Sequence, residues 1–166
     1  MLVGRFQLSQ GNTKEATSVF NKVLALGESQ PARHQIARIQ LSNRNFEKAE
    51  ASYRKLIALN PEDDIAYKGL ITVFEVQGTT EDGIKELIRL TESTNAVMPK
   101  LVLVEFYGRN GNFDDAFGLF AQIEKPLSAA GVRLQQTLYT ALAEQQFNDQ
   151  SFVESRQTIL EGLSHS

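Results

Sequence analysis

Along this chain a small residue repeatedly stands four positions before a bulky one. Ala16 precedes Phe20, Ala49 precedes Tyr53, Gly83 precedes Leu87 and Ala116 precedes Phe120. The small residues lie 33, 34 and 33 positions apart. A period of about 34 with this spacing is the signature of a repeated pair of helices. A weaker fifth pair, Ser155 and Ile159, follows 39 positions after Ala116. The extra residues are assigned to KPLSAAG, residues 125–131, where Pro126 and Gly131 are expected to break helix. Alternation of Val, Ile and Thr at period two is missing, so no strands are expected and the chain reads as all-α.

The same register places a turn before each second helix of a pair. Gln10-Gly11-Asn12, Gln77-Gly78-Thr79 and Asn110-Gly111-Asn112 supply a glycine suited to a left-handed C-terminal cap. In the second copy the turn is Asn43-Arg44-Asn45, and an asparagine is expected to take the left-handed conformation. Acidic residues open the following helices: Glu15, Glu47, Glu81 with Asp82, and Asp114 with Asp115. There they face the positive end of the helix dipole. Pro61, after Leu59-Asn60, is expected to end one second helix.

The segments NRNFEKAEASYRKLIALNP and LNPEDDIAYKGLITVFEVQG resemble tetratricopeptide repeats, and LVGRFQLSQGNTKEATSVFNKVLAL fits the same pattern from Val3-Gly4 onward. The resemblance is strong over residues 1–61, good over 64–124 and loose over 131–163. It implies a right-handed superhelical stack of antiparallel helical hairpins, an α-solenoid. One domain is expected over 1–166, with a partial repeat at 1–28, repeats at about 30–61, 64–96 and 97–124, and a looser hairpin at 131–163. Gly83 departs from the family's packing alanine, and the chain has no tryptophan. Gly4 falls at the family's eighth position, and no polar helix follows the last pair, so an excised section of a longer array is expected. The alternative is a short protein that self-associates through uncapped ends.

Composition narrows the function more than the fold. The 166 residues are 42% hydrophobic and 22% charged, with net charge -3 and pI near 5.5. That balance argues against broad nucleic-acid binding, which uses a basic face. Without cysteine, disulfides, thiolate catalysis and zinc ribbons are excluded. The chain has no apolar run of about 18 residues to insert in a membrane, and no signal peptide is read at its start. The compartment, cytoplasmic or periplasmic, stays open.

Catalytic chemistry finds no constellation, and no metal or cofactor is expected. Of the two histidines, His165 lies in a terminal tail and His34 stands alone as a solvated side chain. Asn110 to Asp115 resembles a calcium loop only faintly, and the hairpin turn explains it. Glu62, Asp63 and Asp64 read as capping and first-turn carboxylates. Phosphate loops and nucleophile elbows are missing. An enzyme is not expected.

The resemblance implies that first helices line a concave groove. Its inward positions are Arg5 and Leu8; His34, Gln35, Arg38 and Leu41; Ile65, Lys68, Thr72 and Glu75; Met98, Leu101, Val102, Glu105 and Arg109; and Thr140, Ala141, Glu144 and Phe147. The N-terminal half is basic through Arg5, His34, Arg38 and Lys68. The C-terminal half sets Glu75, Glu105 and Glu144 around an apolar patch of Met98, Leu101 and Val102. This suits a protein or peptide segment with an acidic end and apolar anchors. The family's carboxylate clamp for chaperone tails is not matched, because its places hold His34, Arg38, Gly69, Met98 and Val102. The expected function is a protein–protein interaction scaffold. Alternatives by analogy are a section of a bacterial exopolysaccharide-export apparatus and a helical region attached to a glycosyltransferase.

Overall fold

The computed structural model describes residues 1–94, 96–123, 129–148 and 152–164, and these are helices joined by short turns. The helices are α1 (Leu2–Ser9), α2 (Thr13–Leu26), α3 (Gln30–Ser42), α4 (Phe46–Leu59), α5 (Asp64–Gln77), α6 (Thr80–Ser93), α7 (Met98–Arg109), α8 (Phe113–Phe120), α9 (Ala129–Asn148) and α10 (Phe152–Ser164). No strand occurs among the described residues. The chain forms two compact units, Met1–Met98 and Pro99–Ser166.

In the first unit, the second helix of one hairpin packs on the first helix of the next. Ala16 and Phe20 of α2 form a buried cluster with Ala32, Ile36 and Ile39 of α3, flanked by Leu8, Val23 and Leu24. Burying a side chain the size of Phe20 stabilises by about 1.5–3 kcal/mol. A Cβ added at Gly4 on α1 would come within 2.5 Å of the Phe20 ring, so the absent side chain admits the ring. A glycine admits a ring between hairpins as well, where the Tyr53 ring of α4 is seated against Gly69 of α5.

Gly83 on α6 faces the Cβ of Phe74 on α5, and an added methyl would lie 2.8 Å from it. It therefore marks a close approach of two helices. Ala16, Ala49 and Ala116 are fully buried at the corresponding places.

The turns follow a common geometry. Gly11, Gly78 and Gly111 have φ of 77°, 78° and 79°. In the second hairpin the left-handed residue is Arg44, at φ 57°, and neither flanking asparagine takes that role. The position is set by hairpin register: glycine adopts it freely, whereas Arg44, with a Cβ, is strained into it. Asp63 caps α5, its Oδ1 accepting from the Ala66 amide at 3.1 Å, and Ser29 caps α3 through the Ala32 amide.

In the second unit, Leu138 of α9 sits against Gly108 of α7, and the rings of Phe117 and Tyr139 lie 4.8 Å apart. Gly131 was expected to break helix but lies inside α9, which begins at Ala129. Pro126 lies outside the described residues.

Candidate binding surface

The first helices α1, α3 and α5 of the first unit carry Arg5, Arg38 and Lys68 as exposed side chains. Arg5 and Arg38 are 33 positions apart, one repeat, and hold the same register. Arg38 stands close to the Tyr53 phenol. Burial pushes that phenol's pKa up, and the guanidinium partly opposes the shift. Arg38 is thus placed beside the joint between α4 and α5. Glu75 and Thr72 are half-buried on α5, and the Thr72 hydroxyl donates to the Lys68 carbonyl at 2.7 Å. Met98, the last residue of this unit, is also half-buried.

His34 departs from its expected role as a solvated basic residue. Its Nε2 lies 2.8 Å from Asp63 Oδ2, and the two side chains are 16% and 7% exposed. The carboxylate that caps α5 uses its second oxygen to reach α3. His34 Nδ1 is buried and has no hydrogen-bond partner among the described residues. His34 is therefore a link between hairpins.

In the second unit, Leu101 and Val102 are buried with Leu103 and Val104, four consecutive positions of α7. Four consecutive buried positions point to several sides of the helix, so these two do not form an exposed apolar patch. Glu105 is half-buried. Arg109 is exposed, with its guanidinium carbon 5.7 Å from the Phe106 ring centre, within cation–π range. Glu144 lines a shallow depression on α9 with Arg133, Thr137 and Thr140. The side chain of Phe147 lies outside the described residues.

Sequence reasoning did not foresee two polar arrangements. One is the buried Tyr67 hydroxyl, pushed up to about 12 by burial first and then by the charges of Glu62 and Asp63. The other is an ion-pair network on second helices. Arg54 of α4 pairs with Glu50 and with Glu86 of α6, and Glu86 also pairs with Arg89. Hydrogen bonding from Arg89, with Arg54 nearby, holds the Glu86 carboxyl below its usual range. The charge series at these positions offered a signal only in its i,i+3 and i,i+4 spacings. No cluster of three or more His, Cys, Asp or Glu able to hold a metal occurs among the described residues. None of the described helices is long and apolar enough to cross a membrane.

Residues 7–74 match the family model of the tetratricopeptide repeat. No curated protein matches the chain. The fold is similar to a structure from a functional characterisation of Pseudomonas aeruginosa PilF, with TM-score 0.57 and 18% identity over 97% of this chain and 73% of that one. A thermophilic TPR protein from Thermus thermophilus is similar at TM-score 0.49 and 17% identity, over 99% of this chain and 88% of that one. At these identities the likeness is one of fold: helical hairpins of the α-solenoid class.

Proposed function

We propose, from the tetratricopeptide hairpins over residues 7–74, that this chain is a protein-interaction scaffold binding a partner segment along the first helices of its N-terminal unit. The observation that carries the reading is the exposure of Arg5, Arg38 and Lys68 on three successive first helices of one compact unit. Arg5 and Arg38 share the repeat register and Lys68 stands one helical turn before that place on α5; basic side chains on successive first helices favour an extended or helical segment with acidic character, and they accelerate its encounter. His34 serves this face indirectly, by tying α3 to the head of α5. Glu75 and Thr72 complete the α5 part of the surface. Arg109, Glu105 and Glu144 form a separate set in the second unit. The export-apparatus and glycosyltransferase alternatives rest on repeat style alone, and the scaffold reading does not require them.

The reading is tested by photo-crosslinking. A benzophenone side chain replaces Arg38 on α3 or Lys55 on α4, both exposed. Bound peptide should be captured at position 38 and spared at position 55. Capture at position 55 with none at 38 places the binding face on the second helices.

A further inference from the structure

Two ion-pair links close on one joint of the N-terminal unit from different helices. His34 of α3 reaches Asp63 at the head of α5, with Nε2 2.8 Å from Oδ2. On the second helices, Arg54 of α4 reaches Glu86 of α6. Glu50 pairs with the same Arg54 and Arg89 with the same Glu86, which orients both side chains. Both links therefore join the hairpin of α3 and α4 to the hairpin of α5 and α6. At the joint before it, the same registers hold Gln30 for Asp63, Asn21 for Arg54 and Ser52 for Glu86. These are uncharged, so neither ion pair can form there. Ser52 donates instead to Gln40 within its own hairpin.

Apolar contact is non-directional, so the packing of α4 on α5 leaves small rotations of one hairpin on the other weakly opposed. The links oppose them. One ties the head of α5 to α3, and the other ties together α4 and α6, which both pack on α5. Arg38 follows His34 by four residues and Lys68 follows Asp63 by five, a little over one helical turn in each case. We infer that Arg54 and Glu86, together with His34 and Asp63, are positioning residues for the first-helix surface, holding Arg38 and Lys68 at a fixed separation before a partner arrives. This rests on the binding reading above and adds what sets the spacing of its cations. Groups fixed in advance lose less freedom on binding than mobile ones, and the gain shows mainly as slower dissociation. Ion pairs as exposed as the one at Arg54 contribute little to folding, so cutting it leaves the hairpins intact.

Spin labels test this on the full chain, which has no cysteine of its own. Ser9, Ser42 and Val76 occupy one register on α1, α3 and α5 and are exposed. Cysteines at 42 and 76 report on the linked joint, and cysteines at 9 and 42 on the joint without links. In double electron–electron resonance without peptide, Arg54→Met and Glu86→Gln should each broaden the 42–76 distance distribution and leave the 9–42 distribution unchanged. Arg54→Lys, which keeps the charge, should hold the 42–76 distribution narrower than Arg54→Met does. Circular dichroism checks the fold, and Arg54→Gln replaces Arg54→Met if the latter lowers the melting temperature. Peptides captured at position 38 should dissociate about two- to tenfold faster from both variants. The two substitutions change net charge in opposite directions, so a long-range effect on an acidic peptide would move them apart, whereas a lost link moves them together. Combined, they should have no larger effect than either alone. Unchanged 42–76 distributions overturn the inference, as do broadened distributions with unchanged dissociation. Capture at position 55 with none at 38 overturns the binding reading and this use of the links with it. The distance distributions, read without peptide, tell the two failures apart.

Discussion

His34 on α3 and Asp63 at the head of α5 meet at 2.8 Å, bridging two hairpins 29 positions apart in sequence. Asp63 divides its carboxylate between two tasks, capping α5 with one oxygen and receiving His34 with the other. Asp63→Ala loses both and should cost about 1–3 kcal/mol, more than His34→Ala. In a urea-denaturation double-mutant cycle, the two changes should couple by more than about 0.5 kcal/mol. Additive costs would show that the contact contributes nothing beyond the cap.

Two glycines should respond to alanine in opposite directions. At Gly83 the new methyl would meet Ile71 Cδ1 at 2.7 Å and Phe74 Cβ at 2.8 Å. The latter cannot swing aside, so Gly83→Ala should destabilise by about 1–3 kcal/mol. At Gly118, inside α8, nothing lies within 4 Å of the added atom. There the lower helix propensity of glycine decides the sign, and Gly118→Ala should stabilise by roughly 0.5–1 kcal/mol. Thermal melts of the two variants check both signs.

Arg44 holds the left-handed place that glycine fills in three sister turns. Relief of that strain is worth about 1–2 kcal/mol for an L-residue, and the added backbone freedom of glycine offsets part of it. Arg44→Gly should therefore raise stability by about 0.5–1 kcal/mol, read as a higher urea midpoint at unchanged slope. The reverse change, Gly78→Arg, should lower it.

These cases also divide what was legible in the sequence from what was not. Ala16, Ala49, Gly83 and Ala116 could be read as packing positions because hairpin packing is local and periodic, and all four are buried. The turn glycines followed from the same register. Arg44 was missed because register, not residue preference, selects which turn residue is left-handed. Leu101 and Val102 were misplaced because residues 101–104 of α7 are four apolar positions in a row, all buried, and such a run has no side that marks core from groove. The His34–Asp63 link joins residues on separate hairpins, and no spacing rule within one helix or turn reports it.

Tyr67 is expected to dominate the alkaline behaviour. Burial, followed by the charges of Glu62 and Asp63, pushes its phenol from 10.0 up to about 12. A folded-state value above the unfolded one gives stability that is complete below the unfolded value and is lost as pH rises toward the folded one. The chain should therefore lose stability between pH 10 and about 12. The buried hydroxyl has no hydrogen-bond partner among the described residues. Tyr67→Phe should thus change stability at neutral pH by less than about 1 kcal/mol while flattening the alkaline loss. An unchanged alkaline limb in this variant would assign the loss to Tyr53, Tyr107 and Tyr139, whose phenols burial also raises.

The central claim is that the first-helix face of the N-terminal unit binds a partner segment. Peptides selected from a random display library on the intact chain supply the probe, and their association is followed by stopped-flow fluorescence at two salt concentrations. Arg38→Glu with Lys68→Glu should slow association and weaken its salt dependence, leaving helical signal and melting temperature nearly intact. The matched pair on the second helix α4, Lys48→Glu with Lys55→Glu, also replaces exposed basic side chains and should leave association of the same peptides unchanged. If the α4 pair slows association as much as the first-helix pair, the first helices are not the binding face and the account is wrong.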